Sequence, residues 1–239
     1  MNKCFVFIFV FLIPIFGCSA KNYYKSSNSK TQLKNSDSSV KVSSPYEEDV
    51  VRNNIAEWAL EKQRLNIKTF KIGDKTIRID CSNFVRSAYY SVLKKDFFQE
   101  AIDLGIYNKL KNDEVFSRSN FGALVIYILF SVKYKIVERP KVGDIVFFDR
   151  TYDKNNNKTL KDDILTHVGI VTKIYDDGTI EFVHAGTGKG IEVGVINFNH
   201  KDKFIIDGKY VNSYVQKRYA WHKDSETAAS LVRGFGSIF

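Results

Sequence analysis

The sequence predicts an α+β domain in which helices come first and an antiparallel sheet follows. Three observations carry that prediction. Before Pro140, apolar residues recur at helical spacing. After it, short β-prone runs are broken by Gly, Asn and Asp. The texture changes once, without an internal repeat, so one domain holds both kinds of element. At 239 residues the chain is long enough for one such domain plus appendages.

The elements follow in order. Residues 1–18 read as an export signal: Lys3 supplies a positive start, and "CFVFIFVFLIPIF" is an apolar run of about 13 residues, short of the roughly 20 that span a bilayer. In "IFGCSA", Gly17 before Cys18 resembles the lipobox of bacterial lipoproteins, which makes Cys18 the expected lipidation site. Phe16 is bulkier than that pattern prefers, and ordinary cleavage after Ala20 is the alternative. Residues 19–45, rich in Ser, Asn and Lys with few large aliphatics, form a flexible tether. Its five lysines against one aspartate place part of the net charge of +9 near the expected anchor. Anionic head groups or acidic wall polymers would attract it there, although the same composition also serves simply to solubilise. Export and the lack of an aromatic-interleaved basic motif argue against a nucleic-acid partner.

The folded domain is expected over 46–223. Val50, Ile55, Trp58, Ala59 and Leu65 mark a first helix with acidic residues in its first turn. A connection containing Gly73 and a strand-like "KTIRI" lead to Asp80, a good N-cap, after which Cys81, Phe84, Val85, Ala88 and Val92 share a face. Further helix is expected in 96–109 and 120–132, although the β-branched "ALVIYILF" pulls a propensity reading the other way. Then "GDIVFFD", "HVGIVTKIY", "TIEFVHAG", "GIEVGVI" and "KYVNSYVQKRYAW" suit an antiparallel meander. The tail 224–239, ending "LVRGFGSIF", is apolar enough to dock on the domain.

Cysteine usage points to chemistry. Cys4 leaves with the signal and Cys18 is consumed by lipid, so Cys81 remains alone and no intradomain disulfide can form. A thiol in the first turn of a helix meets unpaired N–H groups and the positive end of the dipole, both favouring thiolate. A buried structural cysteine is the plain alternative. A nucleophile needs a base and a group that orients it, and His167 and His184 lie on adjacent expected strands. His167, Gly169 and Val171 share one face, leaving a vacancy beside His167, whereas His184 with Ile180 and Phe182 equally fits a core histidine. An unbulged three-residue loop would put the two histidines on opposite faces, and a two-residue Asp177-Gly178 turn would separate them by about 13 Å. A four-residue loop, Tyr175 to Gly178, sets His184 opposite Gly169 and diagonal to His167 with Cβ atoms roughly 7 Å apart. That register, or a bulge achieving the same, is the one predicted.

In that order, "DCSNFV" around Cys81, "GDIVFFD" at 143–149, "THVGIV" at 166–171 and "FVHAG" at 182–186 resemble the NlpC-type (p60-like) cell-wall cysteine peptidases. The resemblance runs from about residue 48 to 222. It implies a papain-like α+β domain with N-terminal helices packed on an antiparallel sheet. It also implies Cys81 as nucleophile, His167 as general base and then acid, and His184 as the orienting member. Asp80 and Ser82 match positions that help bind the free amine of a peptidoglycan stem peptide; Asp80 is also fully explained as a helix cap. Two departures stand out: Asn83 replaces a usual Gly, and no Tyr occurs between Tyr46 and Tyr89, where the family commonly keeps one that stabilises the oxyanion. Loss of one such donor is worth about 3 kcal/mol.

The stretch 149–163, "DRTYDKNNNKTLKDD", echoes a calcium loop through Asp153, Asn155, Asn157 and Asp162 or Asp163, but Lys158 and Ile164 stand where Gly and a bidentate Glu belong. A solvated hairpin loop, with no metal, is expected. His200 and His222, near lysines without a partner pattern, read as surface residues. The functional expectation is a monomeric, lipid-anchored envelope hydrolase that needs no cofactor and cleaves amide bonds in peptidoglycan stem peptides. A catalytically weak wall-binding lipoprotein of the same fold is the rival.

Overall fold

The computed structural model describes residues 44–65, 67–112, 121–186, 190–222 and 224–239. The signal, Cys18 and all of the tether except Ser44 and Pro45 lie outside the described residues, and Pro45, placed in the tether by the sequence, opens the first helix.

Helix α1 (Pro45–Leu65) carries Glu47 and Glu48 in its first turn and Lys62 and Arg64 in its last, each sign opposing the nearer end of the dipole. Its buried stripe is narrower than the spacing predicted: Ile55, Ala56 and Ala59 are buried, while Val50 and Leu65 are exposed. Arg52, a charged residue, is buried with them. A hairpin of β1 (Thr69–Ile72) and β2 (Lys75–Arg78) turns at Gly73, whose φ is +58°. Helix α2 (Cys81–Leu93) begins at the thiol, capped by Asp80 as expected, and buries Phe84, Val85, Ala88 and Tyr89. The predicted helix over 96–109 is two short ones, α3 (Phe97–Asp103) and α4 (Ile106–Lys111), separated by Gly105 in a left-handed conformation. The "ALVIYILF" stretch is helical, in α5 (Gly122–Val132), because nearly all of it is buried between elements and packing overrides β propensity.

The main sheet has six antiparallel strands. In chain order they are β3 (Lys135–Val137), β4 (Ile145–Phe148), β5 (His167–Ile174), β6 (Ile180–Gly186), β7 (Gly190–Ile196) and, at the far end of the chain, β10 (Val232–Ser237). In space the order is β3-β10-β4-β5-β6-β7. Strands β4 to β7 are the expected meander. The run "KYVNSYVQKRYAW" is mostly irregular, contributing only β9 (Lys209–Tyr210), paired with β8 (Ile205–Ile206), and a lone bridge between Tyr219 and His222.

The predicted domain boundary at residue 223 is too early. Residues 232–237 do not dock as a tail; they fill the gap between β3 and β4 as an interior strand. Gly236 makes the fit: a Cβ there would meet the Phe130 ring at 2.6 Å and the Phe147 ring at 2.9 Å.

One face of the sheet, with Ile145, Phe147, Val168, Ile170 and Val183, packs against α1, α2 and α5. The other, with Val146, Phe148, Val171, Phe182 and Ile196, is covered by the short helix α6 (Ala228–Leu231). At the edge of the helical layer, Arg52 bonds Asp144 at 2.7 Å, Glu48 at 2.7 Å and Ser237 Oγ at 2.9 Å, and the Phe239 ring lies 4.4 Å from its guanidinium carbon. This one side chain ties α1 to the start of β4 and to β10.

Candidate active site

The site begins with the cap of α2. Asp80 is extended, and its Oδ1 accepts from Asn83 N at 2.7 Å and from the Ser82 hydroxyl at 2.7 Å, while Oδ2 accepts from Asn83 Nδ2 at 2.9 Å. Asn83, the departure from the family pattern, therefore adds a second hold on the capping carboxylate. Ser82 is buried, and a Cβ on Gly122 of α5 would come within 2.4 Å of its hydroxyl. Its hydroxyl faces Asp80 and the α5 backbone.

This cap alters the electrostatics expected of Cys81. The helix N-terminus by itself favours thiolate, but the Asp80 carboxylate takes one first-turn donor, the Asn83 N–H, and sets a negative charge beside the sulfur. Burial first, then Asp80, push the thiol up to about 12, against the N–H groups of Val168, Ser82 and Cys81 itself, which pull it down. Cys81 as a residue is only half-buried, while its surroundings favour the neutral thiol. The Val168 N–H contact places the sulfur against the peptide that follows His167. Among the described residues no hydrogen bond joins the thiol to either imidazole.

The imidazoles themselves meet. His167 Nε2 lies 2.9 Å from His184 Nδ1, with ring centroids 4.9 Å apart and planes at 84°. The register explains why. Strands β5 and β6 pair Ile174 with Ile180 at the turn, then shift at Thr172, a bulge, so that Val171 faces Phe182 and Ile170 faces Val183. Continued by one step, this sets His184 opposite Gly169 and diagonal to His167. A five-residue loop plus a bulge thus reaches the predicted register. The missing side chain at Gly169 is required, since a Cβ there would sit 3.0 Å from the Phe182 ring and 3.3 Å from His184 Cβ. Phe182 stacks on His184 with centroids 5.2 Å apart and planes at 27°, and Phe148 lies 6.0 Å from His167. Both imidazoles are buried. Burial, with a smaller contribution from His184, holds His167 well below its usual value, so it rests neutral.

A residue that sequence reasoning missed completes the surroundings. Tyr152, in the 149–163 loop, lies close enough to Cys81 and Asp80 for their charges to act on its phenol; burial above all, then Cys81, pushes it up to about 12. The loop is fixed above β5 by Thr151, whose N and Oγ1 bond Thr166 Oγ1 at 2.9 and 2.8 Å. Its side chains mostly bond its own backbone: Asp153 accepts from Asn157 N and Lys158 N, and Asn155 and Asn157 both reach Asp162. Among the described residues no three His, Cys, Asp or Glu side chains group in a way that would hold a metal ion. His200 is exposed as expected, but His222 departs from its surface expectation: its Nε2 is buried and lacks a hydrogen-bond partner among the described residues.

No curated protein and no solved structure matches the chain. Domains of the CHAP family, part of the NlpC/p60-like group, are generally cysteine- and histidine-dependent amidohydrolases or peptidases acting on peptidoglycan. Residues 72–186 match the CHAP domain, a stretch that begins at the end of β1, closes with β6 and contains Asp80, Cys81, Ser82, His167 and His184.

Proposed function

We propose that the protein is an exported, lipid-anchored cysteine hydrolase of NlpC-type papain-like architecture, acting as a monomer on amide bonds in peptidoglycan stem peptides. The observation that carries this reading is the 2.9 Å His167–His184 imidazole pair, taken with a Cys81 thiol that opens α2 and meets the Val168 N–H, next to His167. Because Nε2 of His167 faces His184, Nδ1 is the nitrogen left for the thiol. With His167 neutral and donating from Nε2, Nδ1 is an acceptor, which is the form a general base needs.

Both partners rest neutral, so the proton moves as the bond forms. His167 Nδ1 takes the Cys81 proton while sulfur attacks the carbonyl carbon, and the oxyanion is met by N–H groups at the start of α2. The tetrahedral intermediate collapses, breaking the C–N bond, and His167 returns the proton to the departing amine. Water, deprotonated by the same nitrogen, then cleaves the thioester. His184 fixes the ring of His167 throughout. Asp80 contributes beyond capping the helix. A substrate ammonium placed against it offsets the charge that disfavours thiolate, so a correct amine terminus eases ionisation of the nucleophile.

Digestion of purified sacculi, with fragments identified by mass, tests the reading. Wild type should release peptide fragments, and Cys81→Ala should lower the rate by at least about 10⁴-fold. Equal release by both would refute it. The rival reading, a wall-binding protein without turnover, is favoured by the neutral thiol and the absence of a thiol–imidazole bond, and predicts binding to sacculi with no release.

A further inference from the structure

A second cleft lies beside the 149–163 loop, between Lys158–Lys161 and the side chains of Trp221, His222, Asp224 and Glu226, with a volume of about 570 Å³. Its wall includes the indole of Trp221, 38 % exposed. That indole is not a loose surface group. The Tyr219 ring stacks behind it with centroids 4.7 Å apart and planes at 22°, the turn is closed by His222 N to Tyr219 O at 3.2 Å, and the Tyr219 hydroxyl accepts from Asp153 N at 2.8 Å. The result is a flat aromatic surface held in place from behind.

Next to it, His222 lines the same cleft, and its Nε2 is buried without a hydrogen-bond partner. A buried polar atom without a partner is costly unless a ligand satisfies it. The charges nearly balance: Arg150, Lys158 and Lys161 face Asp224 and Glu226, and Arg150 is already paired with Glu226 at 2.8 Å. A strongly charged ligand finds no matching field there. An aromatic face with its negative π surface, flanked by mixed donors and acceptors, suits a neutral ring whose axial C–H groups lie on the indole and whose hydroxyls bond at the rim.

We propose that this cleft is a saccharide subsite for an N-acetylated amino-sugar chain, with Trp221 as its platform and His222 Nε2 as a hydrogen-bonding contact. The proposal deepens the peptidoglycan reading and rests on it for the source of the sugar, since stem peptides hang from such a chain. The two sites meet at the loop: Tyr219 backs Trp221 and its hydroxyl accepts from Asp153 N at 2.8 Å, next to Tyr152, whose phenol is near enough to Cys81 to feel its charge. One substrate can therefore place sugar on the Trp221 side of the loop and peptide on the Cys81 side.

The test uses the full chain carrying Cys81→Ala, titrated calorimetrically with peptide-free tetra-N-acetylchitotetraose. Saturable binding is expected. Adding Trp221→Ala should weaken it at least about tenfold, whereas Trp221→Tyr, which keeps an aromatic face, should stay within about threefold. His222→Gln, read in parallel, should weaken binding less than Trp221→Ala, and unchanged circular dichroism must accompany each loss. Should Trp221→Ala fail to fold, the Trp221→Tyr and His222→Gln titrations decide. No saturable binding, or binding left unchanged by Trp221→Ala or by His222→Gln, overturns the proposal. The titration needs no hydrolysis, so a protein that binds the oligosaccharide but never cleaves sacculi would sink the hydrolase reading and leave the subsite standing.

Discussion

Two buried polar clusters in this chain invite comparison. Around Arg52, every charge has a partner: burial raises Asp144 while the Lys141 N–H, Arg52 and Ser237 draw it back, and Arg52, which burial would lower, is raised by its carboxylates. Around Cys81 and His167, burial shifts both groups toward neutrality and no charged partner opposes it; only the N–H groups of Val168, Ser82 and Cys81 pull the thiol back, and the nearby charge of Asp80 pushes it further up. Both clusters sit at the contact of helices with sheet. The difference is compensation: the first is a staple whose charges are quenched in place, the second keeps proton donor and acceptor capacity for something not yet bound.

That contrast can be broken at several points, beginning with the largest effect. Arg52→Leu leaves Asp144 buried without its partner and should cost about 3–5 kcal/mol, read by denaturant unfolding. Asp144→Asn, which retains hydrogen bonding, should cost less. A loss under about 1 kcal/mol for Arg52→Leu would show that the cluster is not a staple. Next, a thiol held at about 12 rather than its usual 9.0 has on the order of a thousandfold less thiolate at neutral pH. Alkylation by iodoacetamide at pH 7 should accordingly be far slower for Cys81 than for a free thiol. Reaction as fast as glutathione would mean that burial and Asp80 do not hold the sulfur neutral.

Smaller effects sharpen the comparison. The folded His167 is depressed below its ordinary 6.5, so the unfolded state binds its proton first as pH falls. Its neutral form contributes stability that is full above about 6.5 and is lost on acidification toward the folded value, at up to about 1.4 kcal/mol per pH unit. The stability of wild type should therefore fall more steeply between pH 7 and 5 than that of His167→Gln; parallel curves would contradict the assignment. Finally, Tyr152→Phe should lower kcat on sacculi about tenfold without a matching loss of stability, as expected for one hydroxyl near developing charge. An unchanged kcat would make Tyr152 a packing residue.

Much of this was legible in the sequence, and the illegible parts have physical reasons. The start of α2 was readable because Asp80 and the apolar spacing after it agree. The histidine register was readable as a set of alternatives, since parity decides facing, but the Thr172 bulge carries no residue signal of its own. Strand β10 was hidden: two glycines in "RGFGS" argue against an interior strand unless one knows that the Phe130 and Phe147 rings fill the space. Tyr152 was invisible because only the fold brings the 149–163 loop to the thiol. The electrostatics of Cys81 misled for a related reason, in that the cap and the dipole were weighed separately although the carboxylate answers the dipole.

The position of β10 has a consequence for how the molecule comes together. Strands β3 and β4 are separated by only seven residues, yet β3 has no partner and the β3-facing edge of β4 stays open until a segment some eighty residues further along arrives between them. Sheet closure is thus a late, long-range event, slow by the loop-entropy argument. Until it happens, two strand edges face each other with their amides unmet and open to strands from other molecules. A protease nick or chaperone that withholds residues 232–237 would keep the whole layer ajar and leave the Arg52 staple without Ser237.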